Sequence, residues 1–401
     1  MRSDHFFDLT LGWLNQIFLA TFDIYVAIPT PITSSPFFFL PSFHFLMRPP
    51  RFNQASLFHI ELKHRIKTYF AETKLSPTGN SALYFKALFF IIGFVSVYIH
   101  LVFFTPHWAL ALLESVILAA FAAGIGFNVM HDGAHGSFSK KGWINEMAGL
   151  SINFLGANVF MWKTKHNIAH HSFTNVADHD DDMNARPLLR LCPTQKKYSI
   201  HKYQHIYFLF VYAILYLYWV FVTDYKKYIT RKVGSTAIKP MTWKEHVSFW
   251  GYKVIHALLF LVLPIYTLGF HTWIVGFLVF SVATGIFLSL VFQLAHSLEE
   301  TTFPLPDQGT NQLENDWAVH QLRTTANFAT NNKVLSWLVG GLNFQVEHHL
   351  FPTISHVHYY EISKIIKATC AEFGVPYLEH PKMRLALASH INHLKNLGSV
   401  S

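Results

Sequence analysis

The chain has 401 residues, of which 51% are hydrophobic and only 13% charged. A soluble protein devotes about a quarter of its residues to charge, so this composition argues for a polytopic membrane protein. The net charge of +8 suits an anionic lipid surface; nucleic-acid binding is excluded because Lys and Arg flank apolar segments instead of forming one patch. Cys192 and Cys370 are far apart, which rules out a disulfide framework and a cysteine-based metal site.

Residues 1–46 are rich in Phe and Pro, with Asp8 and Asp23 interrupting the apolar runs. They lack the basic start, apolar centre and small-residue cleavage site of a secretory signal. We read them as an extension ahead of a start at Met47, and residues 47–401 as one membrane domain. Apolar runs at 83–104 and 108–130 are each long enough to cross a bilayer. The short turn Thr105-Pro106-His107 joins them into a hairpin. A second hairpin covers 252–270 and 273–294, joined around Phe270-His271-Thr272. Arg48, Arg51, Lys63, Arg65, Lys67 and Lys74 precede the first hairpin; Lys226, Lys227, Arg231, Lys232, Lys239 and Lys244 precede the second. The positive-inside rule places both segments in the cytoplasm. The aromatic run at 205–222 lies between basic stretches, so it starts and ends on one side as an interfacial or re-entrant helix. The expected fold is all-α: two transmembrane hairpins, four spans, and a cytoplasmic helical cap holding a His-rich site.

Of the 26 His, several cluster at ligand spacing. In His131-Asp132-Gly133-Ala134-His135 a step of four puts both imidazoles on one helical face, and Gly133 predicts a distorted helix end. In His166-Asn167-Ile168-Ala169-His170-His171 another four-residue pair faces one way, with His171 rotated by about 100° toward a neighbouring metal. The third cluster is His348-His349, within Gln345-Val346-Glu347-His348-His349-Leu350-Phe351-Pro352. These imidazoles outnumber the positions of one octahedral ion and the four of a zinc site, so two metals follow more naturally than one. The zinc-protease signature HExxH is absent. Imidazole suits zinc, copper, iron and nickel alike, so the ligand type leaves the metal open.

HDGAH, HNIAHH and QVEHHLFP resemble the HxxxH, HxxxHH and QxxHH boxes of the membrane fatty-acid desaturase superfamily, and the likeness covers most of the chain from about residue 50 onward. Gly341-Leu342-Asn343-Phe344, Gln321-Leu322, Thr325, Asn327 and the Gln345 that opens the third box resemble its front-end (delta-5/delta-6, linoleoyl-CoA desaturase-like) branch. That branch inserts a double bond between an existing one and the carboxyl end of the acyl chain.

The resemblance implies two irons, O2 as co-substrate and an eighth ligand, His296, in Gln293-Leu294-Ala295-His296. It implies an acyl chain carried on coenzyme A or phospholipid. The His-Pro-Gly-Gly mark of a fused cytochrome b5 is absent, which implies a separate donor, ferredoxin or cytochrome b5, and a bacterial inner membrane. Ligating imidazoles usually donate their other N–H to a carboxylate or carbonyl. Asp132 and Glu347 are the nearest carboxylates in the boxes. Asp180 and Asp181, in the acidic run at 178–182, are expected to orient the second box. Trp162, Asn175, Gln321, Asn327 and Gln345 are expected to shape the site; His320 reads as a residue behind the ligands or at the surface, and His356 and His358 as packing or surface residues. Two other readings compete: a di-iron lipid or carotenoid hydroxylase or ketolase, and a His-rich metal transporter or receptor. Transporters place ligands near the bilayer midplane, while these clusters lie at the ends of spans.

Overall fold

A computed structural model describes residues 49–104 and 106–399; the extension expected at 1–46 lies outside the described residues. Helix α1 (Leu57–Thr73) starts where the Ser56 side chain accepts a hydrogen bond from the His59 amide. The first hairpin is α2 (Ser81–Phe104) and α3 (Trp108–His135). After it come α4 (Gly142–Phe154) and α5 (Val159–Lys163), which runs into a π-helical turn, Thr164–His170. Helices α6 (Ser199–Ala213) and α7 (Leu215–Thr230) meet at 58°. The run read as one interfacial helix over 205–222 is therefore a bent pair, broken at Ile214.

The second hairpin is α8 (Trp243–Leu268) and α9 (Phe270–His296). The four spans have 24 to 28 residues, or roughly 36–42 Å at the helical rise, enough for a hydrocarbon core of about 30 Å. Side chains such as Phe85, Phe103, Leu113 and Tyr266 face outward from them, as lipid-facing residues should. The third span starts well before the expected residue 252, because Thr242 and Glu245 form a capping box. It stops at Leu268, where Gly269 takes φ +76° and reverses the chain.

The cap is built from α1 and the C-terminal helices α10 (Trp317–Thr324), α11 (Lys333–Leu338), α12 (Gln345–Leu350), α13 (Tyr359–Phe373) and α14 (Met383–Ser399). Phe58, Leu62 and Ile66 of α1 share a buried cluster with Leu322, Val346, Ile362 and Ile366. The strands are two residues long: β1 (Lys232–Val233) pairs antiparallel with β2 (Thr236–Ala237), and β3 (Asn327–Phe328) pairs parallel with β4 (Glu379–His380).

The distortion expected at Gly133 is not there. Residues His131–His135 are regular α-helix, and the departure is a π-helical turn just upstream, Gly126–Met130. Gly133 serves instead as a contact point between α3 and α4. A Cβ on it would sit 2.6 Å from the Ala148 Cβ and 2.6 Å from the Gly149 nitrogen. Gly133→Val should therefore push α4 off α3 and cost about 1–3 kcal/mol. A lower melting temperature in detergent, with wild-type expression, is the expected outcome; an unchanged melt would show that the helices can part freely.

Candidate metal centre

The ends of α3 and α9, the turn after α5 and the short α12 converge on one buried volume. His131, His135, His166 and His348 form one nest, with ligand atoms within 4.8 Å of one another. His170, His296 and His349 form a second nest by the same measure, and His171 lies between them, grouped with His348 and His349. All eight residues that the sequence singles out as ligands are thus brought together.

The π-helical turn decides how the second box is shared. In a π-helix, residues five apart stack, and the His171 amide donates to the His166 carbonyl at 3.0 Å. The rings of His166 and His171 consequently meet, Nε2 to Nε2 at 3.2 Å. The expected four-residue pair stands beside this five-residue one: His166 and His170 stack with centroids 5.1 Å apart and group with Asp182. His166 joins the first nest and His170 the second.

Five of the eight rings are held from outside by Nδ1. His170 Nδ1 lies 2.9 Å from Asp180 Oδ2, and His349 Nδ1 lies 2.9 Å from Gln321 Oε1. His348 Nδ1 meets the Tyr359 hydroxyl at 3.1 Å, and His296 Nδ1 meets the Thr324 carbonyl at 3.3 Å. His166 Nδ1 lies 3.5 Å from Asp182 Oδ2, whose partner oxygen pairs with Lys165 at 2.7 Å. On the inner side, the Nε2 atoms of His131, His135, His170, His296, His348 and His349 are buried with no hydrogen-bond partner among the described residues. Outward N–H donors and converging inward lone pairs are what metal ligation requires of imidazole. The donor set fits two metal ions.

The electrostatics agree. Burial pulls the His166 imidazole down to about 3 and holds those of His171, His348 and His349 well below the usual histidine value. These rings stay neutral, the form that binds metal. Burial also lowers His170, but the Asp180 carboxylate more than reverses this.

The supporting residues divide. Asp180 holds His170, and Gln321 holds His349 while its amide donates to the His171 carbonyl at 3.0 Å. Asn175, at φ +60°, donates to the carbonyls of His296, Thr302 and Thr324, tying the end of α9 to the cap. The Trp162 ring stacks on His166 with centroids 4.4 Å apart. Gln345 is buried at the start of α12 with its amide nitrogen unpartnered among the described residues. Asp181 touches none of the imidazoles and faces Lys227 at 3.8 Å. Glu347 points away from the nests. It accepts from Asn327 at 2.8 Å and Tyr377 at 2.9 Å, while Asn327 also accepts from the Val346 amide. It braces α12 from behind, and burial there raises its pKa to about 7.

Asp132 approaches His131 Nδ1 only to 3.9 Å and is itself gripped from the far side. Ser355 donates to its Oδ2 at 2.7 Å, and His356 Nδ1 sits 3.0 Å from the same oxygen. Lys86 of α2 lies 3.1 Å from His356 Nε2. Lys has only donors, so His356 Nε2 accepts and its Nδ1–H donates to Asp132. His356 is therefore no packing residue, and Lys86 and Tyr359 also escaped the sequence reading, while Asp182 belongs to the acidic run expected to orient the second box. His320 donates its Nε2–H to the Thr174 carbonyl at 2.9 Å, and His358 packs against Phe70.

Asp180→Ala should weaken metal retention about 10–100-fold by freeing the His170 ring, whereas Asp181→Ala should leave it unchanged. Metal per polypeptide after purification and mild chelation measures both; equal retention in the two variants would remove Asp180 from this role.

The family model for fatty acid desaturase matches residues 106–381. The chain is similar to the sn-1 linoleoyl-lipid 6-desaturase of Synechocystis sp., 35% identical across 88% of this chain and 98% of the relative. It is similar to the enzyme of the same name from Arthrospira platensis, 33% identical across 86% of this chain and 94% of the relative. The acyl-lipid (8-3)-desaturase of Physcomitrium patens is 36% identical, across 85% of this chain and 72% of the relative. With four spans, a His-rich centre and this similarity over most of its length, the chain belongs to the fatty acid desaturase family, as an integral-membrane oxidoreductase of the front-end branch.

Proposed function

We propose that the protein is an oxygen-dependent acyl-lipid desaturase that places a cis double bond at carbon 6 of a lipid-bound, already unsaturated chain, using two irons held by His131, His135, His166, His170, His171, His296, His348 and His349. The observation that carries this reading is the set of six buried, unpartnered Nε2 atoms converging on one volume. Two relatives named linoleoyl-lipid 6-desaturases, each matched over more than nine-tenths of its length, support both the position and a lipid carrier in preference to coenzyme A. When bound, reduced iron supplies the O2 chemistry that removes two hydrogens from adjacent carbons, giving a double bond and water, with two electrons from a separate donor such as ferredoxin or cytochrome b5.

The chain's own residues do the positioning. Asp180, Gln321, Tyr359 and the Thr324 carbonyl keep the Nε2 lone pairs aimed inward. A small apolar cavity of ≈ 40 Å3 lies beside His131 and Trp162, lined also by Ala122, Gly126, Tyr216, Thr284 and Leu288. Such a lining would keep water from the chain where it meets the centre, and an ångström of misplacement there is costly. Lys140, Lys141, Lys226, Lys232 and Lys239 lie at the metal-centre end of the spans, while Pro106, His107 and Gly269 at the hairpin tips carry no fixed charge. The positive-inside rule then sets the centre on the cytoplasmic face, here of a bacterial inner membrane.

Expression in a host fed defined fatty acids, with double bonds located by mass spectrometry, tests the reading. A new bond at carbon 6 that disappears in His170→Ala is the expected result. An oxygenated lipid without a new double bond would overturn it.

A further inference from the structure

Lys86 is the one charged residue among the 24 of the first span. It stands about 8 Å along the helix from Ser81, near enough to the end for its ammonium to snorkel into water. It turns inward instead: Lys86 is 7% exposed, while its neighbours Phe85 and Phe89 face outward. A charge turned into the protein from within a span is costly and marks a function.

The Lys86 ammonium donates to His356 Nε2 at 3.1 Å and lies 5.3 Å from the centre of the Trp337 ring. His356 passes the contact on, its Nδ1–H donating to Asp132 Oδ2 at 3.0 Å. A cation and a buried carboxylate are thus joined through one imidazole. An apolar side chain at position 86 would no longer fix which nitrogen of His356 carries the proton. It would also leave the Asp132 carboxylate buried among neutral donors alone.

Residues 355–359 tie this chain of contacts to the imidazoles. The Ser355 amide donates to the Pro77 carbonyl at 2.8 Å, just ahead of the first span. The Ser355 hydroxyl donates to Asp132 Oδ2 at 2.7 Å, and the Tyr359 hydroxyl lies 3.1 Å from His348 Nδ1. Both ends of the segment therefore bear on one nest: Asp132 adjoins His131, and the rings of His131 and His348 have centroids 4.4 Å apart. The second nest has other supports, since Asp180, the Thr324 carbonyl and Gln321 hold His170, His296 and His349.

We propose that Lys86 is a positioning residue for the first nest: through His356 it sets residues 355–359, and with them Asp132 and His348, without bearing on the second nest. The inference rests on the two-metal reading of the centre. It gives the charge of the first span a part in holding one metal of the pair.

The test is iron per chain in purified protein loaded with ferrous iron without O2 and then treated with a mild chelator. Lys86→Met should hold the iron of the first nest about 10–100-fold more weakly than wild type and keep that of the second, halving the content. Asp180→Ala should take the other half, and the two changes together should leave none. Lys86→Arg, which also offers only donors, should restore the full content. In a His356→Leu background Lys86→Met should cause no further loss, because the two residues act in series. If Lys86→Met is poorly produced, the uncharged Lys86→Gln should show the same halving. Parallel loss of both irons, or of neither, would overturn the proposal, as would an added loss in the His356→Leu background. A wild-type chain that keeps fewer than two irons would bring down the two-metal reading, and this proposal with it. The readout is iron and not product, so a failure of desaturation alone mimics neither result.

Discussion

The structure is organised around a crowd of imidazoles that water cannot reach. Eight histidine side chains converge at one end of the spans, and most of their inward nitrogens find no hydrogen-bond partner among the described residues. Each buried polar atom left in that state costs about 1–3 kcal/mol, a cost that a cation collecting the lone pairs would remove, provided that no ring flips its N–H inward. That requirement explains why so many separate elements reach the site. Asp180 comes from the loop after the second box, Gln321 from α10, Tyr359 from α13 and the Thr324 carbonyl from the end of α10. The cap is a set of outer partners as much as a lid.

The spans and the centre are not separate modules. Helix α3 ends in His131 and His135, and α9 ends in His296; the same helices wall the apolar cavity beside them. The distance from the imidazoles to any point in that cavity is therefore counted along two helices. No loop intervenes to blur that count, as a site on rigid elements requires.

Much of this was legible beforehand. The four spans show as apolar runs with charge at one end, and the boxes show as His at intervals of four and one. What escaped did so for identifiable reasons. A four-residue His step implies an α-helix, and only coordinates reveal that Thr164–His170 is wound more widely and deals its ligands to two nests. Proximity in sequence made Glu347 look like an acceptor for a neighbouring His, but α12 turns it outward to Asn327 and Tyr377. Asp132 is held by His356, 224 residues away, a contact that no local pattern encodes. The early start of the third span is encoded in the capping-box spacing of Thr242 and Glu245, a signal that apolarity does not carry. His296 was visible only through resemblance, because a lone histidine at a helix end carries no signal of its own.

The wide turn at Gly126–Met130 in α3 has a consequence for how such a chain can drift over evolutionary time. One residue more than an α-helix needs is absorbed there, directly between the cavity wall and the first box. Substitutions in this stretch alter the wall locally and leave the ligands aimed where they were. Loss of that one residue would close the turn into regular α-helix and leave His131 and His135 aimed as before, whereas a loss or gain elsewhere in the helix would rotate them by about 100° relative to everything below. The wide turn is therefore the place in α3 where a change of length is absorbed before it reaches the centre.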